Sequence, residues 1–442
     1  MQKLTWRQLA AVGSMLFGLF FGAGNLIFPV AMGQLAGRNL WAAAAGFLIT
    51  GVGLPLLGVA ALGLSRESGL LALSSRVGRG YGLAFTCALY LTIGPFFAIP
   101  RCATVSYTVG IAPLAPGGGA ALGVFSLAFF AVVLFFSLRP GQILTWVGKV
   151  LNPLFLAFLA VLVLRALAAP LGQAAAVEPA GAYRAAPFAT GLLEGYNTMD
   201  ALAGLAFGIL VVQAIRRLGV RAPGDVAVST VCAGVFSSAL MAGIYLLVTL
   251  VGAQSRGRFA AAANGGEALA QIAAAYFGRA GALILAATVT VACLKTAVGL
   301  ITSCGETFVE IFPHGPSYRV WAVGFCLLSF LIANLGLDAI LAWSQPVLMA
   351  LYPLAIVLIL LTLAGPLYGD DRAVLRGGLG CTAAAAVLEF LRALPAGAAP
   401  AVQPVVDWAA AWLPLYAKGF GWVLPAAVGC AAGLVVRARR SR

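Results

Sequence analysis

From about Leu9 to Met32 the chain carries an apolar run long enough to cross a bilayer, broken in its middle by Phe20-Phe21-Gly22-Ala23-Gly24-Asn25-Leu26-Ile27-Phe28-Pro29. No other feature so narrows what the chain can fold into. The stretch can begin as a membrane helix but is badly suited to continue as one. Hydrocarbon offers no water to an opened backbone, so irregular chain at membrane depth persists only inside protein or beside a wet cavity. In secondary carriers such breaks hold substrate and ion on exposed amides and carbonyls. The expectation is a solute carrier with its site near residue 23.

The rest of the chain has the composition of a membrane protein. Of 442 residues, 62% are hydrophobic and 9% charged, against roughly 25% charged in soluble domains, and the mean hydropathy is +1.02. The net charge of +14 does not indicate nucleic acid, because the basic residues cluster between apolar runs, where they mark membrane orientation. Lys3 and Arg7 open the chain like a signal peptide, but the run behind them is too long and more spans follow. It is therefore expected to be retained. The eight cysteines all fall in apolar stretches, without a C-x-x-C pair and away from His314, the single histidine. They read as packing residues, and no metal or cofactor is expected.

A crossing needs about 20 apolar helical residues. Twelve runs qualify, near 8–33, 40–64, 80–110, 119–138, 144–168, 190–215, 225–252, 279–311, 319–335, 338–365, 373–394 and 417–436. The third and eighth are long enough to be strongly tilted. Placing both termini in the cytoplasm puts basic residues inside over outside by two to one, which the reverse topology would invert. Residues 169–189 form an external linker. In 253–278, Asn264-Gly265-Gly266-Glu267 followed by Ala268 to Phe277 reads as a turn and a short amphipathic helix, either a lid or a plain surface loop.

A second interruption lies in the sixth run, Glu194-Gly195-Tyr196-Asn197-Thr198-Met199-Asp200-Ala201-Leu202-Ala203-Gly204. The first run opens the chain and the sixth opens a second set of five. Interrupted spans at corresponding positions of two halves point to the binding site of an inverted-repeat carrier. Either alone would be read as glycine packing; together they indicate function. Arg101, Asp200 and Lys295 also lie within spans, where each costs roughly 2.5–3.5 kcal/mol at a helix centre. Asp200 neutralises only one of the two cations. Either Lys295 is neutral in some states, or a substrate carboxylate supplies the missing anion; a permanent Arg101–Asp200 bridge is the structural alternative. Pro100 and Gly94-Pro95 predict a bend near Arg101.

These strings carry a resemblance. Gly22-Ala23-Gly24-Asn25-Leu26-Ile27-Phe28-Pro29, Gly46-Phe47-Leu48-Ile49-Thr50-Gly51-Val52-Gly53-Leu54-Pro55 and Gly94-Pro95-Phe96-Phe97-Ala98-Ile99-Pro100-Arg101 occur in that order. Gly195-Tyr196-Asn197-Thr198-Met199-Asp200, Thr296-Ala297-Val298-Gly299-Leu300 and Asn334-Leu335-Gly336-Leu337 follow. Over essentially its whole length the chain resembles the bacterial branched-chain amino acid:cation symporters, the system II carriers for leucine, isoleucine and valine.

The resemblance implies sodium- or proton-driven import of L-leucine, L-isoleucine and L-valine across the bacterial cytoplasmic membrane. It also implies an all-α, twelve-span fold of the LeuT-like type. Two inverted repeats (1–168 and 190–365) contain discontinuous helices 1 and 6, and 366–442 adds two further helices and a basic tail. By the same resemblance, backbone around Gly22, Ala23, Gly24 and Asn25 takes the substrate carboxylate. Carbonyls near Phe20 and Phe21, with the Thr296 hydroxyl, help bind the cation. Tyr196, Asn197, Thr198 and Asp200 meet the substrate amino group or ion. Lys295 departs from the family pattern, in which the residue before that threonine is uncharged, and keeps proton-coupled or ion-independent transport of a small neutral amino acid open. Phe20, Phe21, Phe96 and Phe97 are expected to wall the aliphatic pocket. One methylene changes binding by only about 1–3 kcal/mol, so the three substrates should be poorly separated.

Two other classes fit less well. A channel needs a continuous polar stripe, whereas polar residues here concentrate at two breaks. A membrane enzyme needs a catalytic set at one surface, and only Asp370-Asp371 and His314 are available.

Overall fold

The computed structural model describes residues 4–22, 24–65, 67–113, 118–139, 156–220, 222–395 and 397–440. Ala23, the expected start of the fifth span (144–155), and five of the basic residues that set the orientation (Lys3, Arg66, Lys149, Arg221 and Arg442) lie outside the described residues. Among the described residues every regular element is helical. Seven helices are long and apolar enough to cross a membrane, eight when the bent pair Pro187–Thr198 and Asp200–Arg217 is one span.

The first expected span is two helices. Helix α1 (Trp6–Phe20) begins with a capping box in which Thr5 and Gln8 bond reciprocally, and it stops at Phe21, whose backbone is extended. Helix α2 (Gly24–Ala36) resumes the path. Pro29 inside it has no N–H to offer the carbonyl of Asn25 four residues earlier, which keeps backbone open just beyond the break. At Gly37 the chain turns back with φ +49°, a conformation glycine adopts without cost. Helices α3 (Leu40–Leu48) and α4 (Leu54–Ser65) then return, joined by a π-helical turn before Pro55.

After the short α5 (Leu70–Ser75), α6 (Arg79–Leu91) and α7 (Ala98–Ser106) form the third expected span. The bend predicted near Arg101 is present: π-helical turns occupy 92–96 and 107–111, and Gly94 leaves helical geometry at φ −103°, ψ −124°. Helix α8 (Gly118–Ser137) is followed, among the described residues, by α9 (Leu156–Ala168).

The second interruption separates α10 (Pro187–Glu194) from α11 (Asp200–Arg217) by a 3-10 turn over 195–198. Met199 then adopts a left-handed conformation, φ +62°. A non-glycine residue rarely does so, and the helix axis turns by 45°. Helix α12 (Pro223–Ser255) precedes α13 (Gly265–Ile311). Asn264 caps α13 by accepting the Glu267 amide at 3.0 Å. A break at Gly278, φ +58°, separates its first turns, the expected amphipathic helix, from the span.

Helices α14 (Tyr318–Ala333), α15 (Leu337–Leu363), α16 (Gly365–Tyr368), α17 (Arg372–Arg392), α18 (Ala399–Trp412) and α19 (Val423–Arg440) complete the chain. Helix α18 is not anticipated by hydropathy, because its prolines and its length argue against a span.

Glycine sets the spacing between helices, as small residues do where lipid supplies no hydrophobic drive. A Cβ on Gly33 of α2 would lie 2.0 Å from the Thr249 carbonyl of α12, and one on Gly252 of α12 would lie 2.4 Å from the Val30 carbonyl of α2. Gly46 of α3 and Gly191 of α10 meet in the same reciprocal way, and Gly204 and Gly208 of α11 press on α4. Thus α2 packs on α12, the span after the second break, while α11 packs on α4, the span after the first. Each broken helix leans on the other half of the molecule.

Candidate functional site

Both breaks face one cavity, lined by Gly22, Gly24 and Asn25 from the first and by Thr198, Met199 and Asp200 from the second. Its volume is about 50 Å³, below the roughly 300–1,000 Å³ of drug-sized sites, so the two breaks stand close together in this conformation. Leu19, Phe20, Ile93, Ala98, Ala203, Phe207 and Leu300 supply an apolar wall. Arg101, Cys102 and Thr296 complete the lining.

The breaks are joined by side chains. Asp200 Oδ2 accepts from Asn25 Nδ2 at 2.6 Å and from the Tyr245 hydroxyl at 2.9 Å, and Asn25 Nδ2 also contacts the Tyr245 hydroxyl. Asn25 Oδ1 in turn accepts the Gly22 amide at 2.9 Å. Local geometry explains the placement of each group. Thr198 Oγ1 donates to the Gly195 carbonyl and accepts the Asp200 amide, holding Asp200 at the start of α11. Gly195 lies so close to Thr50 that a Cβ would come 2.0 Å from its Oγ1, and Thr50 donates to Leu192 of α10 at 2.7 Å. The second break is therefore braced from α3 and the turn after it.

Of the expected site residues, Phe20, Gly22, Gly24, Asn25, Arg101, Thr198, Asp200 and Thr296 line this cavity. Four do not. Phe21 stacks on Phe17 with centroids 4.9 Å apart, and Tyr196 stacks on Tyr352 at 4.0 Å. Asn197 lines a separate cavity with Ile27, Phe28, Glu194, Asn264 and Gln345. Lys295 reaches α1, where its Nζ donates to the Gly18 carbonyl at 3.3 Å. That carbonyl belongs to the last turn of α1, where the break at Phe21 takes away the amides that would continue the helix. Thr296 sits against Gly22, and its hydroxyl donates to Ala292 at 3.1 Å.

Two expectations are corrected. Phe96 and Phe97 do not wall the cavity, because the turn at Gly94 directs this segment elsewhere and leaves Phe96 at the surface. The Arg101–Asp200 bridge is absent: the four ion pairs among the described residues all lie elsewhere. Arg101 Nη1 instead donates to the Asn197 carbonyl at 2.7 Å.

Tyr245 is the residue that sequence reasoning missed. A tyrosine in the middle of a 33-residue apolar helix was its available signal. Glu389 was missed as well: fully buried in α17, it accepts from Arg392 Nε at 3.0 Å and from the Gly421 amide at 2.8 Å.

Paired helix breaks around a polar and apolar cavity, on a scaffold of membrane-length helices, are the architecture of a multi-pass transporter. Comparison with solved structures gives the fold. Mhp1, a nucleobase-cation-symport-1 family transporter in a closed conformation with bromovinylhydantoin bound, matches with a TM-score of 0.59 at 14% identity, covering 98% of this chain and 92% of that one. MhsT in complex with L-phenylalanine gives 0.55 at 15%, covering 100% and 99%. At these identities the likeness is one of fold, the LeuT-like fold of carriers.

The family model described as branched-chain amino acid transport protein matches residues 6–440. The chain belongs to this family. A branched-chain amino acid permease BrnQ of Lactobacillus delbrueckii subsp. lactis is 54% identical over 430 residues, covering 97% of this chain and 96% of that protein. The branched-chain amino acid transport system 2 carrier protein of Pseudomonas aeruginosa is 42% identical over 435 residues, covering 98% and 97%. The chain is a member of a transport family and not of an enzyme family.

Proposed function

We propose that this protein imports leucine, isoleucine and valine by cation symport, exposing its central cavity alternately to the two sides of the bacterial cytoplasmic membrane. The observation that carries the reading is the Asn25–Asp200–Tyr245 cluster, which ties the two helix breaks together beside an aliphatic wall. An aliphatic zwitterion needs a few polar contacts for its charged groups and an apolar pocket for its side chain. Relatives named as branched-chain amino acid permeases support the substrate class.

Two further cavities, at opposite ends of the helices that line the central one, support alternating access. One holds Glu194 and Asn197; the other lies where α4 and α13 end, with Tyr90, Glu306 and Glu310. The reciprocal packing of α2 on α12 and α11 on α4 supports twelve spans in two inverted repeats, 1–168 and 190–365. The segment 169–189 is then an external linker and 366–442 an appendage of two spans with α18 between them. In this arrangement both termini are cytoplasmic.

Counterflow of labelled leucine in proteoliposomes, with sodium and proton gradients imposed separately, tests the reading. Accumulation of leucine, isoleucine or valine under one gradient is expected; none under either refutes the substrate assignment.

One contact favours a second reading of the coupling. The Lys295 ammonium lies on the Gly18 carbonyl, in the same last turn of α1 as Phe20, near which the resemblance puts the cation, and this supports proton-coupled or ion-independent transport. Replacing Lys295 with Ala is expected to change the sodium or pH dependence of leucine uptake about tenfold, as loss of a charge-assisted hydrogen bond would. Uptake that keeps the wild-type dependence on both would remove Lys295 from the coupling mechanism.

A further inference from the structure

The two span-depth cations have different fates. Lys295 is spent on a carbonyl of α1 and does not line the central cavity. Arg101 does line it, is only 4% exposed, and has no carboxylate partner among the described residues. Its guanidinium is held from two sides, by the Asn197 carbonyl and by the Phe28 ring 5.1 Å away. Its Nε, fully buried, makes no hydrogen bond with any described residue.

The guanidinium also stands at the start of α2. A Cβ on Gly24 would lie 2.7 Å from Arg101 Nη2 and 3.2 Å from Cζ, so glycine is what allows the two to approach. The first amides of a helix lack intrahelical partners, and its dipole favours an anion there. A buried guanidinium with an unused donor and a 13-residue helix N-terminus thus converge on one corner of the cavity. An anion with two oxygens meets both, and a carboxylate pairs with a guanidinium in charge-assisted hydrogen bonds. Elsewhere in the same lining stands Asp200, the only carboxylate among the described lining residues. The hydrogen bonds it accepts from Asn25 and Tyr245 both fall on Oδ2.

The resemblance already puts the substrate α-carboxylate at the start of α2 and its ammonium toward Asp200; we propose that the Arg101 guanidinium is the side chain that binds that carboxylate there. This assignment rests on the amino acid carrier reading and adds to it the residue that selects the carboxylate. It answers the charge imbalance: the missing anion belongs to the substrate, and its counter-charge is Arg101 and not Lys295. The site is therefore specific for substrates with a free α-carboxylate and rejects the corresponding amides.

The test is equilibrium binding of leucine and leucinamide to the purified full chain, wild type against Arg101→Gln. Arg101→Gln is expected to weaken leucine about 10–100-fold and to leave leucinamide within about twofold, so that the discrimination of the wild type collapses. Equal weakening of both ligands, or unchanged leucine binding, overturns the assignment. Should Arg101→Gln not fold, Arg101→Lys keeps a cation near the Asn197 carbonyl but lacks the planar fork. Its leucine-to-leucinamide ratio is expected to fall about tenfold, and an unchanged ratio overturns the assignment. Wild-type protein that binds no leucine overturns the carrier reading and this assignment with it.

Discussion

Replacing Asp200 with Ala is expected to lower leucine uptake at least about 100-fold while the protein still reaches the membrane. Two losses combine. Asn25 and Tyr245 lose their shared acceptor, and a buried donor left unpaired costs about 1–3 kcal/mol. The cavity also loses the carboxylate against which a zwitterion's ammonium would otherwise rest. Asp200→Asn separates the two effects, since it keeps one acceptor oxygen in a side chain of similar shape while removing the charge and putting an NH2 donor in place of the other oxygen; it should still lose at least about tenfold. Tyr245→Phe removes a single hydroxyl and should cost about 1 kcal/mol, roughly fivefold. Initial rates in proteoliposomes, normalised to protein content, measure all three. Asp200→Asn transport within about threefold of wild type would show that the carboxylate charge is not needed.

The second large effect concerns the scaffold. A Cβ on Gly191 would lie 1.9 Å from the Ala43 carbonyl oxygen, and because the obstacle is backbone, α10 and α3 must separate. Overpacking usually costs about 1–3 kcal/mol, and a clash with main chain belongs at or above that range. Gly191→Ala is therefore expected to lower the melting temperature in detergent and reduce the folded yield. Gly243→Ala and Gly299→Ala, at helical positions with no described atom within 4 Å, should change neither measurably. Gly191→Ala protein as stable as Gly243→Ala would mean that the close approach of α10 and α3 does not hold the second break in place. The consequence reaches function, since α10 runs directly into the turn that positions Asp200.

The residues that resisted sequence reading share a property: their partners lie far away in the chain. Tyr245 meets Asn25 across 220 positions, and no local pattern aims its hydroxyl there. Lys295 and Arg101 read as two span-depth cations with one carboxylate, Asp200, between them, yet one ends on α1 and the other in the cavity wall. Phe96 and Phe97 lay beside a correctly expected bend, but the direction in which the chain leaves Gly94 depends on contacts with Cys304 and Ser329.

What the chain determined alone was local and chemical. Long apolar runs demand a bilayer, and Gly22 to Asn25 and Gly195 to Asp200 interrupt helices because opened backbone at that depth requires protein or water around it. Packing decided the rest. Reciprocal glycine contacts set how closely the helices approach, that spacing brings the two breaks to one cavity, and the cavity then selects which of several buried polar residues face each other. Side-chain partnership at membrane depth is fixed by helix rotation and register, which a linear pattern of apolar residues does not encode when apolar residues cover every face.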